Sequence, residues 1–116
     1  MLLPDAPLAL VDRAKITDYL LNRAHPDNGG KAAFFVGIGF STGRPEVLAE
    51  AFLSVVARTS ASVVVESEHG RKYIVDGQID TPTGRRPWVR TIWIIDRGAD
   101  VPRLVTAYPY LEKSKP

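Results

Sequence analysis

Five residues in this sequence have the types that proton transfer beside an anion requires: His25, Lys31, Arg90, Thr106 and Tyr108. Imidazole is the side chain whose ordinary pKa lets it take or give a proton near neutrality. Lys31 and Arg90 are cations suited to a phosphate, and Arg90 is the better bidentate donor because its guanidinium is a planar fork. The hydroxyl of Thr106 can bond a phosphate oxygen, and Tyr108 can orient the phosphate or stack on a base.

Each has a plainer competing role. His25 precedes Pro26 in a loop and can satisfy backbone groups at a helix end, and Lys31 can be a solvated first-turn lysine. Arg90 alternates with Trp88, Ile92 and Ile94, so it shares their side of a strand and needs a partner there. That partner is either a site ligand or an internal acid such as Asp76 or Glu66. Thr91 and Trp93 fall on the opposite face, where Trp93 reads as packing. His69, before Gly70 in a hairpin turn, reads as solvated, and so do the turn cations Arg71, Lys72, Arg85 and Arg86. If these four instead rim an RNA site, their role is nonspecific.

Other constellations are missing or misleading. The sequence has no cysteine, no Walker phosphate loop and no histidine pair at metal-ligand spacing, so no metal or cofactor is expected. Gly37, Gly39 and Gly43 in GIGFSTG, after AAFFV, imitate a dinucleotide-binding turn. That fingerprint needs its glycines within the first helical turn, whereas Pro45 delays the helix. Nucleotide binding therefore stays a remote alternative.

The positioning elements change period near the middle of the chain. Asp12 is placed to cap a helix reaching about Asn22, with Ile16, Tyr19 and Leu20 at helical spacing. HPDNGG ends it, and KAAFFVGIG is a second short helix or a buried strand. Pro45 and Glu46 open a third helix to about Arg58 that buries Val47, Leu48, Ala51, Phe52, Val55 and Val56. From Ala61 onward SVVVESE, RKYIVDG, WVRTIWIID and RLVTAYP are β-branched and aromatic runs joined by short connections, which implies antiparallel neighbours. In the last run strict alternation puts Leu104, Thr106 and Tyr108 on one face, but the pairing register with Arg90 is open.

The expected fold is thus α+β, with two to three N-terminal helices packed on a four-stranded antiparallel meander. One domain over 1–116 is expected, helical from about 12 to 58 and sheet from about 61 to 110, with 111–116 a frayed tail. With 24% charged residues and no long apolar run, the chain reads as a cytoplasmic protein without a membrane span. The formal charge is +2, and the excess lies in the sheet half, where nine Lys/Arg oppose seven Asp/Glu. This permits an anionic partner but not a DNA-coating role.

The strings HP(DNGG)KAAFFVGIGF, RKYIVDGQIDTPTGRRPWVRTIWIIDRG and PRLVTAYPY resemble a family of small bacterial domains of unknown function, over nearly the whole chain. The order of elements, with His and Lys early and Arg, Thr and Tyr late, is also similar to the superfamily of barnase, EndoU, colicin and RelE-like ribonucleases, many of them toxins. That resemblance implies metal-independent RNA cleavage by the 2′-hydroxyl. Such cleavage needs a base or acid (His25), phosphate clamps (Lys31, Arg90) and hydroxyl groups (Thr106, Tyr108). It also implies an RNA substrate and a cognate antitoxin or immunity protein. The alternative is a noncatalytic interaction module, namely an antitoxin, immunity or adaptor domain. A catalytic site would gather these residues in one cleft; a module would scatter them and expose an apolar patch or strand edge.

Overall fold

The first helical turn begins at the expected cap: the Asp12 carboxylate accepts the Ala14 N–H at 3.0 Å, satisfying a donor that a helix start leaves without an intrahelical partner. The computed structural model describes residues 6–26 and 30–110. The tail at 111–116, Pro4 in the lead and 27–29 of the HPDNGG segment lie outside them. Lys15–Leu20 forms a π-helix, in which the Leu21 N–H reaches back five residues to the Ile16 carbonyl at 2.8 Å. This helix is shorter and wider than the periodicity predicts. It buries Ile16 and Leu20 completely and leaves Lys15 and Tyr19 half-buried.

The segment open to two readings is a helix, α1, Lys31–Gly37, with Ala32 and Phe35 buried. Pro45 starts α2, Pro45–Arg58, whose buried stripe is Leu48, Phe52, Val55 and Val56. Val47 and Ala51 pack half-buried beside it. Because AAFFV is helical, GIGFSTG does not follow a strand, and the dinucleotide-binding reading falls. Gly39 instead adopts φ of 107° in a loop where a Cβ would meet Pro82 at 2.9 Å. The glycine is required by close loop packing.

The sheet comprises β1, Val63–Ser67, β2, Gly70–Gln78, β3, Trp88–Asp96, and β4, Arg103–Pro109. It is an antiparallel meander in the order β1-β2-β3-β4. The helices cover one face, where Tyr73, Val75, Val89, Trp93, Leu104 and Ala107 meet Ile16, Phe35, Leu48 and Phe52. At Gly77 a Cβ would lie 3.0 Å from Val55, so the missing side chain lets α2 approach β2. Thr91 is fully buried among these apolar groups. Its hydroxyl donates to the Val75 carbonyl at 2.7 Å and accepts the Trp93 indole N–H at 2.8 Å.

The alternation expected in β4 is broken. Ile92 pairs with Thr106 but Trp93 pairs with Leu104, so Val105 is an extra residue in a β-bulge. Leu104 and Ala107 both reach the core, while Thr106 and Tyr108 stay opposite Ile92 and Arg90. Leu104 therefore does not share a face with Thr106 and Tyr108, because the bulge shifts the phase of the alternation between them. Leu10 hydrogen-bonds on both sides of Arg103, to the Pro102 carbonyl (2.9 Å) and the Leu104 N–H (3.0 Å). The lead thereby covers the start of the β4 edge. No helix among the described residues is long and apolar enough to cross a membrane.

Candidate functional site

Cross-strand partners in a sheet share a face, so the register decides the placement that alternation leaves open. Arg90 pairs directly with Asp76 on one side and with Tyr108 on the other. All three lie on the sheet face away from the helices. Arg90 Nε and Nη2 donate to the two Asp76 oxygens, both at 2.8 Å. The Asp76 carboxylate is 11% exposed. Hydrogen bonds to Asp76 raise the Arg90 pKa, burial opposes this, and the Asp76 charge and the Tyr108 hydroxyl reinforce it. The Tyr110 ring lies 4.1 Å from the guanidinium carbon, in cation–π range.

Around the β4 edge, Lys31 at the start of α1 donates from Nζ to Thr106 Oγ1 at 3.1 Å and to the Tyr19 hydroxyl. The Tyr108 ring centroid is 5.8 Å from the same Nζ, so Tyr108 stands between Lys31 and Arg90. The His25 ring meets Tyr19 edge-on, with centroids 4.9 Å apart, and the His25 backbone N–H donates to the Asn22 carbonyl at 3.1 Å. Lys15, Tyr19, His25, Val105 and Thr106 line an open cleft of about 500 Å³.

The structure thus brings His25, Lys31, Thr106 and Tyr108 together and links Arg90 to them through Tyr108. It does so by docking the loop that carries His25 and the start of α1 that carries Lys31 against the edge strand at its bulge, segments that sequence spacing does not connect. Tyr19 lies at the centre of this group but reads in the sequence as an apolar helix position. The available signal was Lys15 four residues earlier, which puts a cation on the same helix face as the phenol. Burial pushes the Tyr19 pKa up. Hydrogen bonds with Lys31 and Thr106 and the charges of Lys31 and Lys15 outweigh it and hold the phenol below its ordinary value of 10.0.

The other sequence candidates lie elsewhere. His69 is exposed beside Glu68, and Arg71 is paired with Glu66 and Arg86 with Asp80. Among the described residues, no three of His, Asp and Glu are grouped to hold a metal ion.

Residues 2–111 match the model of a family described as a domain of unknown function, DUF6883, in keeping with the family resemblance carried by the sequence strings. Among solved structures, the fold is similar to a chain of a complex described as "Contact-dependent growth inhibition toxin - immunity protein complex from Klebsiella pneumoniae 342". The TM-score is 0.68 at 16% identity, over 86% of this chain and 98% of that one. At that identity the likeness is one of fold. No curated protein matches the sequence.

Proposed function

This chain belongs to the DUF6883 family, and we propose that it is a toxin-type endoribonuclease that cleaves RNA without a metal ion. The observation that carries this reading is the Lys31 ammonium held between Tyr19 and Thr106, two residues that line one cleft with His25. An imidazole, a cation and hydroxyls from segments far apart in sequence form one edge, as phosphoryl transfer to an internal hydroxyl requires. The fold likeness to a chain of a toxin–immunity complex supports a place in a toxin system.

In this mechanism the 2′-oxygen attacks the adjacent phosphorus and its proton passes to His25. The bond from phosphorus to the 5′-oxygen breaks, leaving a 2′,3′-cyclic phosphate and a 5′-hydroxyl. An ammonium has three donors; Lys31 places one on Tyr19 and one on Thr106, and the third serves the phosphorane oxygens. Asp76 already occupies Nε and Nη2 of Arg90, so Arg90 contributes chiefly by holding the Tyr108 hydroxyl toward the phosphate. A cognate immunity protein or antitoxin neutralises the activity by covering this edge.

A second reading, a noncatalytic immunity, antitoxin or adaptor module, is favoured by β1. Val63, Val64 and Val65 are all exposed on a strand that, among the described residues, is paired only with β2, an edge that another strand can join. Incubation of the purified protein with total RNA in EDTA, beside His25→Ala and Lys31→Met, separates the two. Cleavage lost in both variants supports the nuclease. Equal residual cleavage in all three indicates contamination, and intact RNA with the wild type favours the module.

A further inference from the structure

We infer that Tyr19 is the general acid of this site, donating its phenolic proton to the departing 5′-oxygen of RNA. The inference rests on the ribonuclease reading above and adds the residue which that mechanism leaves unassigned.

The direction of one hydrogen bond is the starting point. Lys31 Nζ can only donate, so the Tyr19 oxygen is the acceptor in their contact and the phenolic proton is not the one shared with Lys31. The same ammonium donates to Thr106, which places the phenol, the cation and the Thr106 hydroxyl around one point on the cleft wall. The His25 ring meets the Tyr19 ring edge-on, at 4.9 Å and an interplanar angle of 79°. In-line displacement needs a base and an acid at one bound phosphate, since the proton leaves at the attacking oxygen and is supplied at the leaving one, and His25 and Tyr19 both line this cleft. Among the described residues, no other phenol lines this cleft.

The surroundings suit donation. Lys31 Nζ lies 4.8 Å and Lys15 Nζ 5.4 Å from the Tyr19 ring centroid, so two cations stabilise the phenolate left behind. Their charges are among the reasons its pKa lies below the ordinary value, which brings the group nearer to the working pH of a general acid. The proton balance closes. His25 gains the 2′-proton, Tyr19 loses its own to the 5′-oxygen, and the resulting imidazolium and phenolate return to their starting forms by exchange with solvent. The π-helical turn has a structural reason in this picture, because it presents Tyr19 to the β4 edge while Ile16 and Leu20 stay in the core.

The test compares the wild type with Tyr19→Phe on an RNA dinucleotide and on its analogue with sulfur replacing the 5′-bridging oxygen. A thiolate leaves without a proton, so the acid is needed only for the oxygen substrate. Tyr19→Phe keeps the ring against His25, and its thermal midpoint reports the fold. The expected result is a loss of about 100-fold on the oxygen substrate and near-wild-type cleavage of the sulfur analogue. Equal losses on both substrates overturn the inference, and so does an unchanged rate on the oxygen substrate. A wild type inactive on both rejects the ribonuclease reading, and the inference with it. Should Tyr19→Phe fail to fold, fluorotyrosine at position 19 serves instead. Its more acidic phenol shifts the alkaline limb of the pH–rate profile to lower pH, and an unmoved limb overturns the proposal.

Discussion

Lys31 Nζ donates to Thr106 Oγ1 at 3.1 Å across 75 positions of sequence. This contact fastens the start of α1 to the sheet edge beside the bulge, so the cation is structural as well as a candidate for chemistry. Replacing Lys31 with Met removes its hydrogen bonds to Thr106 and Tyr19 but keeps the stem. The expected loss is about 1–2 kcal/mol in urea unfolding, from charge-assisted bonds in a partly buried setting. A double-mutant cycle with Thr106→Val should return a coupling of about 1 kcal/mol. A coupling of zero would mean that the contact contributes nothing to stability.

The Asp76–Arg90 pair is bidentate, with its carboxylate nearly buried. Breaking one side of such a pair leaves an uncompensated charge, whereas replacing both removes the desolvation penalty as well. Asp76→Asn should therefore lower stability by about 2 kcal/mol, and the double replacement Asp76→Leu with Arg90→Met should recover most of that. Urea midpoints at constant m-value check this, with the single variant predicted to be the less stable of the two.

Thr91→Val conserves volume in the core but leaves the Trp93 indole N–H and the Val75 carbonyl without the hydroxyl that satisfies them. A cost of about 1–3 kcal/mol is expected for the unsatisfied donor, with an altered near-ultraviolet dichroism of the indole. A variant as stable as the wild type would show that water reaches the indole.

Asp96 accepts from Arg103 Nε at 2.7 Å and Nη2 at 3.0 Å. These bonds hold its carboxyl below the ordinary 3.8, with burial opposing and the Arg103 charge adding. A carboxyl whose folded pKa is depressed stabilises the fold above its unfolded pKa and loses that contribution as pH falls through the folded value. Wild type and Asp96→Asn should thus differ in thermal midpoint at neutral pH and converge at pH below 3.8. A gap that persists in acid would assign the difference to something other than the carboxylate charge.

Much of the architecture was legible because periodicity reports burial. The α2 stripe of Leu48, Phe52, Val55 and Val56 and the grouping of Val89, Thr91 and Trp93 on one face of β3 follow from spacings of 3.6 and 2 residues. The β4 face assignment failed because a bulge is one inserted residue. Nothing in RLVTAYP marks Val105 as the extra one, and only pairing with β3 reveals it. KAAFFVG was ambiguous because a short apolar run fits either a strand or a helix until its neighbours bury one side.

The sequence by itself determined the residue types available for chemistry, the order of helices before strands, and the grouping of Arg90 with Trp88, Ile92 and Ile94 on one side of β3. Local stereochemistry sets all of these within a few residues. Only the tertiary structure decided that Tyr108 stands beside Arg90, that Asp76 rather than Glu66 holds that arginine, and that Tyr19 joins Lys31 and Thr106. Each depends on register and docking between segments distant in the chain. Those are set by which arrangement buries the whole core at once, and no local window contains that information.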